Sequence, residues 1–464
     1  MKTYEFGDKN KPVILLLPGT CCHWKAAFGE VIPLLGRSFY VACVSYDGFD
    51  ETEDTIFPSM TEETEKIEAY IRERFDGKIC CAYGCSLGGS FVGLLVQRGN
   101  PQRIIELLSM IVGQKILPGR TLIIFDEIQE CSEALNTLKY FKEKADEYHV
   151  IAAGSLLGTL LAQPKSYPVG MVNLLEICPL TFDEFLEATD PVLYSYYCSI
   201  QKNQTIEEIF HNRLLEAYHN YLIIGGMPEC VASWIKYKDP AKINQIQQEL
   251  IEIYENDFSK HNGKVNSGRI LMVFRSIVTQ LAKSNEKFMY GAVREGGRAR
   301  DFEEAIEWLV SAGMLNRIYN VSKTEHPLAA FDKLDQFKLF VFDTGLLKHM
   351  AGIDNSAILL KKDYQFKGPL TENYILQQLR GQFEVDPRYF SDKNSEIDFV
   401  LQYGAEIIPV EAKSGADKSA PSFKRYIADH HPEYALRFSK RGYRKDGNIT
   451  NLPLYLARKT RELL

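Results

Sequence analysis

Two short apolar runs, each ending in chemically loaded residues, constrain this chain most. Ile79-Cys-Cys-Ala-Tyr83 enters Gly84-Cys-Ser86-Leu-Gly88, and Leu122-Ile-Ile-Phe125 ends in Asp126-Glu127. Apolar runs this short, bounded by glycine or charge and separated by helical spacing, read as buried strands of an α/β sheet. Upstream, Val13–Leu17 stops at Pro18-Gly19-Thr20 and Tyr40–Ser45 leads into Tyr46-Asp47-Gly48. Between them and the glycine-rich turn, the stretch Met60–Arg74 sets Ile67, Tyr70, Ile71 and Arg74 on one helical face. Residues 1–100 therefore predict a β-α-β-α-β-α order with parallel strands.

The turn around Ser86 and the Pro18-Gly19 loop, in this order and spacing, resemble the front half of the α/β-hydrolase fold. The resemblance implies that Ser86 is a nucleophile at a strained elbow, with the Leu87 amide and the Gly19-Thr20 loop holding an oxyanion. Such chemistry needs a His and an orienting acid after the elbow. The downstream histidines His149, His211 and His219 lie in sequence of a different character, so Ser86 is expected to be a remnant.

That different character begins near Asn100-Pro101. A strand ending in adjacent carboxylates can hold a magnesium-bound water with Asp and orient an attacking water with Glu. The wider string contains Thr121-Leu-Ile-Ile-Phe-Asp126-Glu127, His149-Val-Ile-Ala-Ala-Gly154-Ser155, Pro179-Leu-Thr-Phe-Asp-Glu184-Phe185 and Gly225-Gly-Met-Pro228-Glu229. Together these resemble prokaryotic AAA-type ATP-binding proteins with a C-terminal nuclease-like domain. The resemblance implies ATP and Mg2+ as cofactors, Asp126 as the magnesium carboxylate, Glu127 as the water-polarising one and Ser155 at the γ-phosphate sensor position. Yet no G-x-x-x-x-G-K-[ST] occurs anywhere in the chain, so the main anion cradle is missing. Gly88-Gly89-Ser90 is a poor substitute, with glycine in place of the lysine and only a short span before Asp126.

Farther on, Ile270–Leu281 and Asp301–Ala312 are amphipathic, the second with Phe302, Ala305, Ile306, Leu309 and Val310 on one face. A turn at Gly313 precedes a strand. In the family this region looks like a winged helix, in which Arg294, Arg298 and Arg300 would meet phosphates while Glu303, Glu304 and Glu307 would repel them; a packing or protein-contact role is favoured. Then Ser395-Glu396-Ile-Asp398-Phe-Val-Leu401 is followed by Ile407-Ile-Pro-Val410-Glu411-Ala-Lys413. Strand alternation sends Glu411 and Lys413 to one side, where Asp398 of a neighbouring strand can join them. Two carboxylates can hold a divalent cation on a phosphate, and the lysine can serve the attacking water. The pattern resembles the PD-(D/E)xK nuclease fold, which implies Asp398, Glu411 and Lys413 as the catalytic set, Asp398 and Glu411 as metal ligands, and Glu372 as a helical carboxylate. Arg437, Lys440, Arg441, Arg444 and Lys445 fit a phosphate-facing rim.

At 464 residues and 45% apolar composition the chain has room for about three domains with proper cores. A net charge of -7 argues against wholesale attraction to nucleic acid or membrane, though not against a local patch. No run is long enough for a membrane span, and a cytoplasmic location is expected. The ten cysteines include no C-x-x-C pair, which predicts reduced and mostly buried thiols. The fold class expected is α/β: a partial hydrolase sheet (1–100) joined to a truncated P-loop ATPase sheet (101–260), then a winged-helix-like module (261–345) and a nuclease-like α/β domain (346–464). The function expected is that of an AAA-family ATP-binding protein, ATPase-deficient, with a nucleic-acid-directed C-terminal domain and DNA or protein as partner. The rivals are a non-enzymatic nucleic-acid or protein-binding module and an α/β-fold serine hydrolase; magnesium-dependent cutting of DNA and fluorophosphonate labelling separate them.

Overall fold

The computed structural model describes the chain apart from residues 21, 51, 53, 98–100, 127, 129–131, 155–169, 262, 284–286, 361–363, 393–394 and 416–419, and without the side chains of 61, 93–97, 132–133, 136, 259–261 and 263–265. It is a mixed α/β structure of two compact units, Met1–Leu175 and Glu176–Leu464.

In the first unit, β1 (Lys2–Phe6), β2 (Val13–Leu17), β3 (Tyr40–Ser45) and β4 (Cys81–Gly84) form one sheet in the order β1-β3-β2-β4. The last three are mutually parallel, and β1 is an antiparallel edge. β2 shows why its run is continuously apolar. Leu15 and Leu17 pack with Ala42, Val44, Ile67, Ile71 and Phe91 on one face, and Ile14 and Leu16 with Phe28, Ile32 and Val41 on the other. Helix Met60–Phe75 starts where the Ser59 side chain accepts from the Glu62 amide, and buries Ile67 and Ile71. Arg74, on the same face, instead forks onto Glu5 of β1 at 2.8 and 2.9 Å, with the Tyr70 hydroxyl on that carboxylate too.

A second sheet in this unit consists of β5 (Leu122–Phe125) and β6 (His149–Ala152), parallel and flanked by helices Pro101–Val112 and Ser132–Lys144. Ile123 is buried with Ile104, Ile105, Phe141 and Ala145, whereas Leu122, Ile124 and Ile151 are exposed.

The second unit carries an eight-stranded sheet in the order β13-β14-β12-β11-β10-β9-β7-β8. Its strands are β7 (Leu315–Val321), β8 (Asp332–Val341), β9 (Arg388–Ser391), β10 (Glu396–Tyr403), β11 (Glu406–Ala412), β12 (Ala435–Ser439), β13 (Arg444–Asp446) and β14 (Ile449–Pro453). Helix Ala299–Ser311 buries Phe302, Ala305, Ile306 and Leu309, and Gly313 at φ 72° turns the chain into β7. β7, expected as the strand after the Gly313 turn in a separate winged-helix-like module, pairs with β8, which was not expected, and both are strands of the same sheet as residues 388–453, joined through the Asn320 and Tyr389 pairing. The start and end of this unit are tied together. The Phe182 amide donates to Gln378 Oε1 at 2.8 Å, and the buried Lys459 ammonium donates to the carbonyls of Cys198 at 2.9 Å and Ile200 at 3.0 Å.

The thiols differ from expectation. Eight cysteines among the described residues are free, but only Cys43 and Cys230 are buried, while Cys22, Cys80, Cys178 and Cys198 are exposed. Several lie at strand or helix ends, where side chains meet solvent. Among the described residues no helix is long and apolar enough to cross a membrane.

Candidate functional site

The antiparallel β10–β11 hairpin, closed by Gly404 at φ 59°, pairs Phe399 with Val410, which sets Asp398 across from Glu411 one step farther along. The β9–β10 register slips between Ile397 and Val400, an irregularity of the kind that re-aims a side chain beside a site. Asp398 Oδ2 accepts from the Ala412 amide at 2.7 Å. The Lys413 amide donates to the Phe438 carbonyl at 2.8 Å, which carries the line of β11 onward, and the Lys413 ammonium forms an ion pair with the Glu411 carboxylate. Helix Lys367–Leu379 brings Glu372 to the same cluster. The four residues expected to act together in this half of the chain are therefore assembled. Glu411 is buried, whereas Glu372, Asp398 and Lys413 keep a partly exposed edge.

Electrostatics tie the group together. Burial, then the charge of Asp398, pushes the Glu411 carboxyl up to about 8, against the pull of Lys413. The same two causes in the same order push Glu372 up to about 7, opposed by Lys338 and Lys413. Asp398 is also raised by burial, with Lys413 and the Ala412 amide acting the other way. Burial works against the charge of Lys413, but Glu411 and Asp398 outweigh it and its pKa is raised.

Two further residues belong here that the linear pattern did not single out. Lys338 of β8 donates to Glu396 Oε1 at 2.9 Å, and its ammonium lies over the buried Tyr389 ring at 4.8 Å from the centroid. Burial again disfavours its charge, and Glu372, Glu396 and Asp398 together raise its pKa. Nothing local in Asp335-Gln-Phe-Lys338-Leu-Phe340 signals this; only the sheet order places it.

Carboxylate oxygens are hard donors of the kind that Mg2+ and Mn2+ take, so the residues fit such an ion by donor type. Among the described residues, however, no group of three or more His, Cys, Asp or Glu side chains already converges as a metal cage. The Lys413 ammonium occupies Glu411 instead.

The other sequence-derived residues are not part of this cluster. Ser86 is exposed and sits at φ 51°, the left-handed region that a side chain adopts only under constraint. The constraint is close packing of the turn: a Cβ on Gly88 would come within 2.0 Å of the Leu17 carbonyl oxygen, and one on Gly84 within 2.0 Å of the Gly88 oxygen. The histidines of the second unit are engaged there, His211 with the Tyr455 hydroxyl at 2.8 Å and His219 accepting from Lys440 at 2.8 Å. Asp126 is exposed in the turn after β5, held by the Ile128 amide to Ala153 carbonyl bond at 3.0 Å. Glu127 and Ser155 lie outside the described residues. Arg294, Arg298 and Arg300 are exposed. Of the basic rim, Arg437 donates to Asn451 at 3.2 Å and Arg444 pairs with Asp446 at 2.8 Å.

An AAA domain family matches residues 96–186, opening close to the Asn100-Pro101 change of character. Two domains of unknown function, DUF8612 and DUF4143, match residues 215–357 and 367–456. No curated protein matches the chain. Residues 96–186 are thus an AAA-type, ATPase-like region, and such domains in general use ATP and Mg2+. Glu372, Asp398, Glu411 and Lys413 all fall within the DUF4143 match, and Lys338 within DUF8612.

Proposed function

We propose that this AAA-like protein has lost nucleotide turnover and that its second unit binds a divalent cation and hydrolyses nucleic-acid phosphodiesters. The observation that carries this reading is the facing pair Asp398 and Glu411 on β10 and β11, with Lys413 on Glu411 and Glu372 alongside. The bound cation supplies charge neutralisation at the phosphate. Asp398 and Glu411 would hold it, one from each strand. With Glu411 so engaged, the Lys413 ammonium, now paired with Glu411, would be free to orient the attacking water or a phosphate oxygen. Glu372, poised near neutrality, takes the proton that the water loses as its oxygen bonds to phosphorus, and the departing ester oxygen is protonated from solvent. The missing phosphate loop supports the loss of nucleotide turnover.

The test uses the full chain with Mn2+ or Mg2+ on single- and double-stranded DNA and on RNA. Expected are cation binding and cutting in the wild type, loss of both in Asp398→Asn/Glu411→Gln, and loss of cutting alone in Lys413→Ala. Cation binding unchanged in the double variant sinks the proposal. Binding of nucleic acid without cutting, in the presence of bound cation, would instead favour a non-enzymatic binding module.

A further inference from the structure

The carboxylate cluster holds more than the residues that the cleavage reading needs. Four acids, Glu372, Glu396, Asp398 and Glu411, face two lysines, Lys413 and Lys338. Taken as formal charges this leaves two negative charges, which one divalent cation neutralises. Lys413 is on the same strand as Glu411 and two residues from it. Lys338 has a different origin. It comes from β8, which is separated from β10 by β7 and β9 in the sheet order, and its ammonium meets the Glu396 carboxylate beside the buried Tyr389 ring. Its side chain is only 13% exposed. A buried ammonium placed this way needs a reason, because removing such a charge from water is costly unless it is paired. Lys338 has its pair, and the acids around it are those of the site.

Resting on the proposed cation site, we infer that Lys338 is its built-in second cation, standing where a second metal ion would bind and holding the site to a single divalent ion. Phosphodiester-cleaving sites with two ions place them about 3.5–4 Å apart, bridged by carboxylates. Here the Glu396 carboxylate, two residues before Asp398 on β10, is met at 2.9 Å by an ammonium brought in from outside the DUF4143 segment, and the charges of Glu372 and Asp398 act on that ammonium as well. Lys338 touches no reacting atom in this scheme. It is a positioning residue that fixes how many ions the carboxylates accept.

The experiment is Mn2+ titration of the full-length protein by calorimetry, with the number of bound ions counted independently by the free-Mn2+ resonance signal. Binding that survives in Asp398→Asn/Glu411→Gln is subtracted. Wild type should take up one Mn2+ at this site. Lys338→Met, with three formal negative charges left, should bind its first ion roughly tenfold or more tightly and gain a second. Lys338→Arg should keep a single ion with affinity near wild type. Lys338→Met/Glu396→Gln removes the whole ion pair and restores the formal charge of the wild type; it should return the first-ion affinity towards wild type. The same count and affinity in wild type and Lys338→Met overturns the inference, as does a double variant that behaves like Lys338→Met. Should Lys338→Met not fold, a double variant that binds the first ion as wild type does supports the inference, and one that binds it tenfold more tightly overturns it. If the wild type binds no Mn2+, the cleavage reading fails by itself. Gain of Mn2+ by Lys338→Met would then still support Lys338 as the resident cation, and no gain would overturn it.

Discussion

Mn2+ entering this site at pH 7 displaces protons, and the number can be worked out. Glu411 is raised to about 8 and Glu372 to about 7, in both cases by burial first and the charge of Asp398 second. At pH 7 a carboxyl that titrates near 8 is about nine-tenths protonated and one near 7 about half protonated. Full ionisation of both on binding therefore releases about 1.4 protons per cation from these two groups, and of Glu411 alone about 0.9. Calorimetric titration in buffers of different ionisation enthalpy reads this directly, as the slope of apparent enthalpy against buffer enthalpy. At pH 9 the slope should fall to about 0.1, since both groups are ionised before the ion arrives. Glu411→Gln should lower the release at pH 7 by about 0.9 proton, the share of Glu411. Tight binding at pH 7 with an enthalpy independent of buffer would refute the reasoning, because it would mean that the carboxylates are already ionised in the cation-free site.

The same shifts act on stability. Both folded-state values lie above the unfolded 4.5, so these groups favour the folded state while protonated, and without cation their contribution declines as pH rises from about 4.5 through about 8; the thermal midpoint should be higher at pH 5 than at pH 8.5, and Mg2+ should reduce the gap. Ser86→Gly should stabilise the first unit by about 1 kcal/mol by relieving a left-handed side chain, whereas Gly88→Ala should cost about 2–3 kcal/mol or more because its Cβ meets the Leu17 carbonyl; urea unfolding midpoints measure both, and equal midpoints would contradict the strain argument. A fluorophosphonate probe should leave Ser86 unlabelled, and labelling abolished in Ser86→Ala would show a recruited base. Mg2+-ATP should show no micromolar binding by calorimetry, and micromolar binding lost in Asp126→Ala would show that a cradle other than the missing loop exists.

Elements whose burial repeats with a simple period were legible in the residues. β2 and β3 are short apolar runs because neighbours lie against both faces, β5 and β6 were legible as strands although Leu122, Ile124 and Ile151 are exposed instead of buried, and helix Ala299–Ser311 carries its apolar stripe at helical spacing. The convergence of Asp398, Glu411 and Lys413 was legible for a similar reason: alternation along a strand is local, and the hairpin turn at Gly404 is nearby. What remained hidden depended on distant pairing. β1, Lys2-Thr-Tyr-Glu-Phe6, is a half-buried edge with no apolar run, fixed by the fork of Arg74 on Glu5. That β7 and β8 complete the sheet of residues 388–453 follows from Asn320 meeting Tyr389, a contact no spacing rule announces. Lys338 was hidden with them. The excess of exposed thiols has a related cause, since a residue's place at a strand end says little about which neighbours cover it.

The ties between the first helices of the second unit and its last residues bear on how the chain is made. Phe182, Phe185 and Tyr197 are wholly buried, and the Phe182 amide and the Cys198 and Ile200 carbonyls are satisfied by Gln378 and Lys459. A ribosome delivers those partners roughly 200 to 260 residues later, tens of seconds at ordinary elongation rates. Tyr221 covers part of Phe182 and Phe185 early, but throughout that interval the aromatic, helix-forming segment waits for the rest of its partners. Contacts of such long sequence separation make folding slow and late. Shortened products that end before Tyr374 and Gln378 would leave part of this aromatic surface uncovered permanently and become targets for chaperones and proteases.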